Sequence, residues 1–217
     1  MKILCCAYRD WAKNIYNSLE KDFIEHTFVR INSKEELDAF ELDKEKPDLI
    51  LWYGWSWIIP EDILKRYYSI MLHPSPLPKY RGGSPVQNQI VNGEKTSAVT
   101  LFKMDDGIDT GDIIGQKHFS LDGDLDDVFG RITEIGISLS YDMIKNFSSL
   151  TLIPQDHSKA TYFKRRKPSQ SEITLEDLKS LKAEEIHNKI RALQDPYPNA
   201  FIECKDGTRL YITKSHL

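Results

Sequence analysis

Ser69-Ile-Met-Leu-His73-Pro-Ser-Pro-Leu-Pro78-Lys-Tyr-Arg-Gly-Gly83-Ser-Pro85 joins two kinds of sequence. Residues 69–72 form a short apolar run that reads as a buried strand, and beyond His73 proline and glycine punctuate the chain. In open α/β sheets ligands collect where a strand's carboxyl end meets a loop. Pro74 pushes His73 toward extended geometry, which holds its side chain at the strand end. Prolines 74, 76 and 78 stiffen the loop, and a stiff loop loses less entropy on binding a ligand.

Upstream of this stretch, strands and helices alternate. Residues 2–7 are an apolar strand, 10–21 a helix with Trp11, Ile15 and Leu19 on one face, 27–31 a strand, and Ser33 the cap of a helix. Residues 48–53 are a third strand closed by Gly54, and Pro60-Glu61-Asp62 opens a helix with acids at its positive end. Downstream, residues 85–91 and about 125–147 read as helices, and 98–103 and 113–119 as strands. Pro154 and the basic run Lys164-Arg165-Arg166-Lys167 mark a linker. A tail follows, with a helix near 183–193 and a hairpin of 200–204 and 209–213 turned at Asp206-Gly207. The expected fold class is therefore α/β: a twisted, mostly parallel sheet with flanking helices over 1–150, then a linker and a small C-terminal α+β hairpin unit over 151–217.

The 217 residues suit one domain with an appendage, long enough to bury a core without staples. A net charge of −4 argues against a nucleic-acid partner, whose footprint is a basic domain. No apolar run is long enough to span a membrane, and Met1–Cys6 is too short for a signal peptide. Three cysteines, two of them adjacent, make no disulfide framework or zinc site; they read as thiols in a reducing cytoplasm.

A second chemistry-bearing stretch is Met104-Asp-Asp-Gly-Ile-Asp109-Thr-Gly-Asp112. Its acids do not have the EF-hand spacing. Its glycines suggest a tight path on which one acid folds back to a histidine, fixing the tautomer and stabilising the charged form. There is no Gly-x-Ser-x-Gly elbow, no phosphate loop and no Gly-x-Gly-x-x-Gly, which disfavours serine hydrolases, nucleoside triphosphate enzymes and nicotinamide enzymes.

His73-Pro-Ser-Pro-Leu-Pro78 with Arg81-Gly82, followed by Asp109-Thr-Gly111, resembles the folate-dependent formyltransferase family. The likeness is strong over about 46–119 and resumes at 162–169 and 190–201. It implies formyl transfer from N10-formyltetrahydrofolate to an amine. The amine attacks the formyl carbon, a histidine stabilises the oxyanion and moves a proton, and a carboxylate holds the ring. His73 and Asp109 match the family's positions for those roles. The family's folate pocket corresponds to Gly54, Trp55, Ser56, Trp57, Ile58 and Ile59, facing Asp105, Asp106, Gly107, Ile108 and Asp109. Apolar walls with backbone donors suit a flat pterin.

One position departs from the family. Asn usually stands two residues before the histidine and donates to the oxyanion; here it is Met71. Three readings stand open: a substitute amide from Gln87 or Asn88, sufficiency of His73 with backbone donors, or impaired catalysis.

The acceptor is expected at the end of the first strand, against Tyr8, Arg9 and Asp10, with Tyr80 and Arg81 opposite. The branch acting on glycinamide ribonucleotide has a glycine-rich phosphate loop there, which this chain lacks. The branch acting on transfer RNA carries a further β-domain, for which the residues before Leu217 leave little room. By elimination the resemblance points to the sugar N-formyltransferases, with a nucleotide-linked amino sugar as acceptor. The alternatives are another small amine, a formyl-folate hydrolase, or a binding protein for folate or nucleotide sugar. The tail hairpin, with Phe201, Ile202, Leu210 and Ile212, needs a surface, either the parent domain or a second copy in a homodimer.

Overall fold

The computed structural model describes residues 1–217. In chain order the elements are β1 (Lys2–Cys6), α1 (Asp10–Asp22), β2 (Thr27–Ile31), α2 (Lys34–Ala39), α3 (Leu42–Glu45), β3 (Leu49–Tyr53), α4 (Glu61–Arg66), β4 (Ser69–His73), β5 (Arg81–Gly82), α5 (Pro85–Val91), β6 (Thr96–Lys103), β7 (Ile113–Ser120), α6 (Leu125–Lys145), β8 (Tyr162–Phe163), α7 (Leu175–Ser180), α8 (Ala183–Arg191), β9 (Ala200–Glu203) and β10 (Arg209–Ile212). Six strands form the central sheet in the order β2-β1-β3-β4-β6-β7. The pairs β1/β2, β1/β3 and β3/β4 are parallel; β4/β6 and β6/β7 are antiparallel.

β3 is apolar and buried at every position, and β1 at every position after Lys2, because the sheet is covered on both faces. Side chains alternate across the pleat. Ile3, Cys5, Leu49, Leu51, Tyr53 and Leu72 pack with Ile15, Leu19, Ile132 and Leu139 of α1 and α6 on one face. Leu4, Cys6, Ile50 and Trp52 pack with Leu37, Ile59 and Ile63 on the other, where Met71 is half-buried. His73, two residues after Met71, shares that second face and ends β4. Because β1, β3 and β4 run parallel, Tyr8, Gly54 and His73 all emerge from one edge of the sheet.

Ser33 caps α2 as the sequence suggests, accepting from the Glu36 amide at 3.1 Å. The sequence reading has no counterpart for α3 and α7, each of less than two turns and set by packing or by caps rather than by a long apolar stripe. In the tail, Ile173, Ile190, Leu193 and Ala200 form their own small core. Phe201 is buried within this chain, while Leu210 and Tyr211 remain exposed. No helix is long and apolar enough to cross a membrane.

Residues 151–167 do more than link. The β8 strand pairs in parallel with β5, so Tyr162 lies beside Arg81 and Phe163 beside Gly82. The segment read as a linker is therefore stapled to the loop that follows His73.

Candidate active site

The loop after β4 is held at nearly every polar atom. Ser75 Oγ donates to the Lys79 carbonyl, Thr100 Oγ1 to the Ser75 carbonyl, Gln116 Nε2 to the Leu77 carbonyl and Gln89 Nε2 to the Pro74 carbonyl, all within 3.0 Å. The Leu77–Pro78 peptide is cis. The rigidity comes from these side chains as well as from the prolines.

His73 is 5% exposed. Its Nε2 lies 2.8 Å from the Tyr80 carbonyl oxygen, which can only accept, so Nε2 carries the hydrogen. That leaves Nδ1 as the basic atom, and it faces Asp109 Oδ2 at 3.5 Å. The same Oδ2 accepts from the Gly82 amide at 2.7 Å. Asp109 thus connects two loops, 27 residues apart in sequence, around one imidazole.

Three non-glycine residues around this point adopt left-handed backbone: Tyr80 (φ +59°), Ser84 (φ +50°) and Asp109 (φ +53°). Such conformations cost about 1–3 kcal/mol each and persist where surroundings over-determine them, commonly at functional sites. Gly111 shows how tight the Asp109 turn is: a Cβ there would lie 1.8 Å from the Lys103 carbonyl oxygen. Gly111→Ala is expected to destabilise the protein by about 1–3 kcal/mol, read from urea unfolding; an unchanged midpoint would contradict this close approach.

Around the edge of β1 and β3, the Tyr8 hydroxyl lies 2.5 Å from Ser56 Oγ. The aromatic rings of Tyr8, Trp57, Trp55 and Trp52 follow one another at centroid distances of 4.9, 4.8 and 5.6 Å, from the mouth into the core. Trp55 is buried and its Nε1 has no hydrogen-bond partner, an orphaned donor in the segment that follows β3. The Arg9 guanidinium lies between the rings of Tyr8 and Tyr197, 4.6 and 4.8 Å from their centroids. Arg165 donates to the Ser56 carbonyl at 3.4 Å. Partial burial raises the Tyr8 pKa, but the Ser56 bond and the Arg9 and Arg165 guanidiniums outweigh it and leave the phenol below its ordinary value.

On the facing loop Asp105 accepts from Thr110 Oγ1 at 2.6 Å and from the Gly107 amide, so it shapes the turn. Asp106 is exposed, as are Ile108 and Ile58, whereas Ile59 is buried. Asp10 is exposed in the first turn of α1. Two clefts of about 490 and 460 Å³ open elsewhere, around Leu37 and Arg66 and around Lys95 and His187; neither reaches His73.

Three expected contacts need correction. Arg81 does not face an acceptor: it is fully buried and donates to Gln155 Oε1 and the Tyr162 hydroxyl. Tyr80 is also turned inward, its hydroxyl on Glu94 and its ring stacked on Phe163 at 4.7 Å; its contribution is the backbone carbonyl that holds His73. Asn88 is not a free donor, since Nδ2 is committed to the Gly83 carbonyl at 2.9 Å. Gln87 is buried on α5 against Tyr197, and its Nε2 is left without a well-formed bond.

Residues that the sequence reading missed are Gln155, Arg165 and Tyr197. They lie 46 to 88 residues beyond Asp109 in stretches read as linker and tail, and only tertiary structure returns them to the site.

The formyl transferase family model matches residues 12–134, and the formyl transferase C-terminal domain model matches 171–217. A methionyl-tRNA formyltransferase of Campylobacter curvus is 37% identical over 171 residues, covering 78% of this chain and 55% of the relative. The chain thus spans about half the length of the curated relatives it matches. Among solved structures, a methionyl-tRNA formyltransferase from Clostridium thermocellum superposes with a TM-score of 0.82 at 32% identity, over 98% of this chain and 97% of that one. A 4-N formyltransferase from Francisella tularensis gives 0.80 over 97% and 96%; at 20% identity it speaks for the fold alone. With a family model covering more than half of its residues, and His73 and Asp109 brought together at the strand edge, the chain belongs to the formyl transferase family.

Proposed function

We propose that this chain transfers the formyl group of N10-formyltetrahydrofolate to the primary amine of a nucleotide-linked amino sugar. The observation that carries this reading is the buried His73–Asp109 pair, with Nε2 tied to the Tyr80 carbonyl and Nδ1 turned to the carboxylate. Residues 1–150 would supply this chemistry and 151–217 would close the site. The donor supplies an activated formyl group. His73 Nδ1 takes the proton as the amine adds to the formyl carbon and gives it to the donor nitrogen as that bond breaks and tetrahydrofolate leaves; Asp109 holds the imidazolium between these steps, and the Gly82 amide holds Asp109.

The walls fit both substrates. Trp55, with its orphaned Nε1, and Ile59 offer the apolar face and single donor that suit a pterin. The Tyr8–Trp57 rings can stack a base, and Arg9 and Arg165, neither paired with a carboxylate, suit the phosphates of a nucleotide. The names of the curated relatives favour a second reading, in which the amine is that of an aminoacyl-tRNA.

One assay separates these readings: tetrahydrofolate release from the donor, alone and with dTDP-, UDP- and GDP-amino sugars or methionyl-tRNA. Release that requires a nucleotide sugar supports the proposal, and release that requires methionyl-tRNA replaces it with the second reading. Release without acceptor indicates hydrolysis; folate binding without release indicates a binding protein.

Met71 bears on the rate. It lies on the sheet face of His73, and its thioether cannot donate to an oxyanion. Met71→Asn is expected to raise kcat by up to about 10²-fold, since one oxyanion donor is typically worth that much or more. An unchanged or lower kcat would mean that another group already fills the role.

A further inference from the structure

Gln155 sits behind the reacting pair, 5% exposed, in the segment read as linker. Its Nε2 donates to two backbone carbonyls of the acidic loop, Asp109 at 3.0 Å and Gly111 at 2.7 Å. Its Oε1 accepts from Arg81 Nε at 3.2 Å and Nη2 at 2.6 Å. One amide therefore uses both hydrogens and its oxygen. The orientation is forced, because the flipped amide would point hydrogens at a guanidinium and oxygen at two carbonyls.

Arg81 gives this amide its anchor. It is fully buried, and its acceptors are neutral: Gln155 Oε1, the Tyr162 hydroxyl at 2.6 Å and His157 Nδ1 at 3.2 Å. Its backbone belongs to β5, one residue after the carbonyl that holds His73 and one before the amide that holds Asp109. Through Gln155, the histidine loop and the aspartate loop share one rigid crosslink. Asp109 needs such a tie, since its φ of +53° is unfavourable for a residue with a side chain.

We propose that Gln155 is a positioning residue for formyl transfer: its two N–H groups hold the Asp109–Gly111 turn so that the carboxylate meets His73 Nδ1. This rests on the formyltransferase reading above. Misplacement of a catalytic group by about 1 Å can cost about 10²-fold in rate, so an amide that fixes the loop's backbone acts on kcat without touching substrate.

Gln155→Glu separates this role from simple burial. The carboxylate still accepts from Arg81, and with full charge, but its second oxygen has no hydrogen for the Asp109 and Gly111 carbonyls. Gln155→Met removes both functions. The measurements are the melting temperature, hydrogen exchange of ligand-free protein followed by mass spectrometry, and kcat with KM for the acceptor. For Gln155→Glu the expected result is exchange accelerated in peptides covering 105–112 and at Gly82. The kcat should fall by about 10²-fold, with acceptor KM within a few-fold of the parent protein. Gln155→Met should show the same local loosening with a larger drop in melting temperature.

Parent-like exchange and kcat in Gln155→Glu would overturn the proposal and leave Gln155 as a partner of Arg81 only. Exchange accelerated evenly along the whole chain would overturn it too. If the parent protein transfers no formyl group, the function fails while the exchange experiment still decides whether Gln155 holds the turn.

Discussion

Replacing His73 with alanine is expected to lower acceptor-dependent release of tetrahydrofolate by about 10²–10⁴-fold, the usual worth of a positioned general acid–base. The imidazole is the only side chain that connects the Tyr80 carbonyl to Asp109, and its Nδ1 is the one basic atom at the end of β4. Without it the attacking amine keeps its proton, and Asp109 faces a void. The walls that would hold the two substrates are built by other residues, Trp55 and Ile59 on one side and Tyr8 and Arg9 on the other. Donor affinity should therefore stay within a few-fold while kcat collapses. The variant leaves one buried acceptor, the Tyr80 carbonyl, without its His73 partner while Asp109 keeps the Gly82 amide, a cost of about 1–3 kcal/mol, so a folded protein at reduced stability is expected. Circular dichroism and donor binding would verify the fold before rates are compared. Full turnover in folded His73→Ala would remove His73 from the reaction.

Most of the framework was legible because it obeys simple patterns. The apolar runs of β1, β3 and β4 are buried on both faces, and such strands need no alternation to be recognised. The α1 helix shows its buried stripe at Ile15 and Leu19. The hairpin turn at Asp206-Gly207 follows from local backbone preference, with Gly207 at φ +78°. His73 was legible for another reason, its place at a strand end before a proline-rich loop, whereas Asp109 was picked out of the four acids of its loop only by the family resemblance.

What stayed hidden lies in the details of contact. Arg81 and Tyr80 look like surface ligands in a Pro/Gly-rich loop, since charged and phenolic groups are usually exposed. They are buried because the 155–163 segment returns from more than 70 residues away and supplies Gln155 together with Tyr162 and Phe163 of β8 as partners. No local pattern announces a two-residue strand pair. The same return explains why a basic run that reads as a solvated linker ends with Arg165 on the Ser56 carbonyl, at the mouth of the site. Asn88 and Gln87, adjacent in sequence, take opposite roles because α5 turns the Asn88 amide to the Gly83 carbonyl and buries the Gln87 amide against Tyr197.

The largest effect with the least change in shape is expected from Asp109→Asn, a fall in kcat of about 10²–10⁴-fold. Asparagine has the volume of aspartate, and its Oδ1 can still accept from the Gly82 amide that now bonds Oδ2 at 2.7 Å. With oxygen turned to Gly82, the Nδ2 group faces His73. Because Nε2 already gives its hydrogen to the Tyr80 carbonyl, Nδ1 has a lone pair, and the new amide donates into it. The base is blocked by the residue that formerly supported it, and the charge that stabilised the imidazolium is gone. Both losses act on proton transfer and neither on the aromatic wall, so donor binding should change little. Asp109→Ala removes the charge without supplying a blocking donor and should retain more activity than Asp109→Asn. If alanine is instead the worse of the two at equal stability, the carboxylate acts through loop geometry rather than through the Nδ1 proton. Steady-state kcat for the two variants, compared at matched melting temperatures, decides between these accounts.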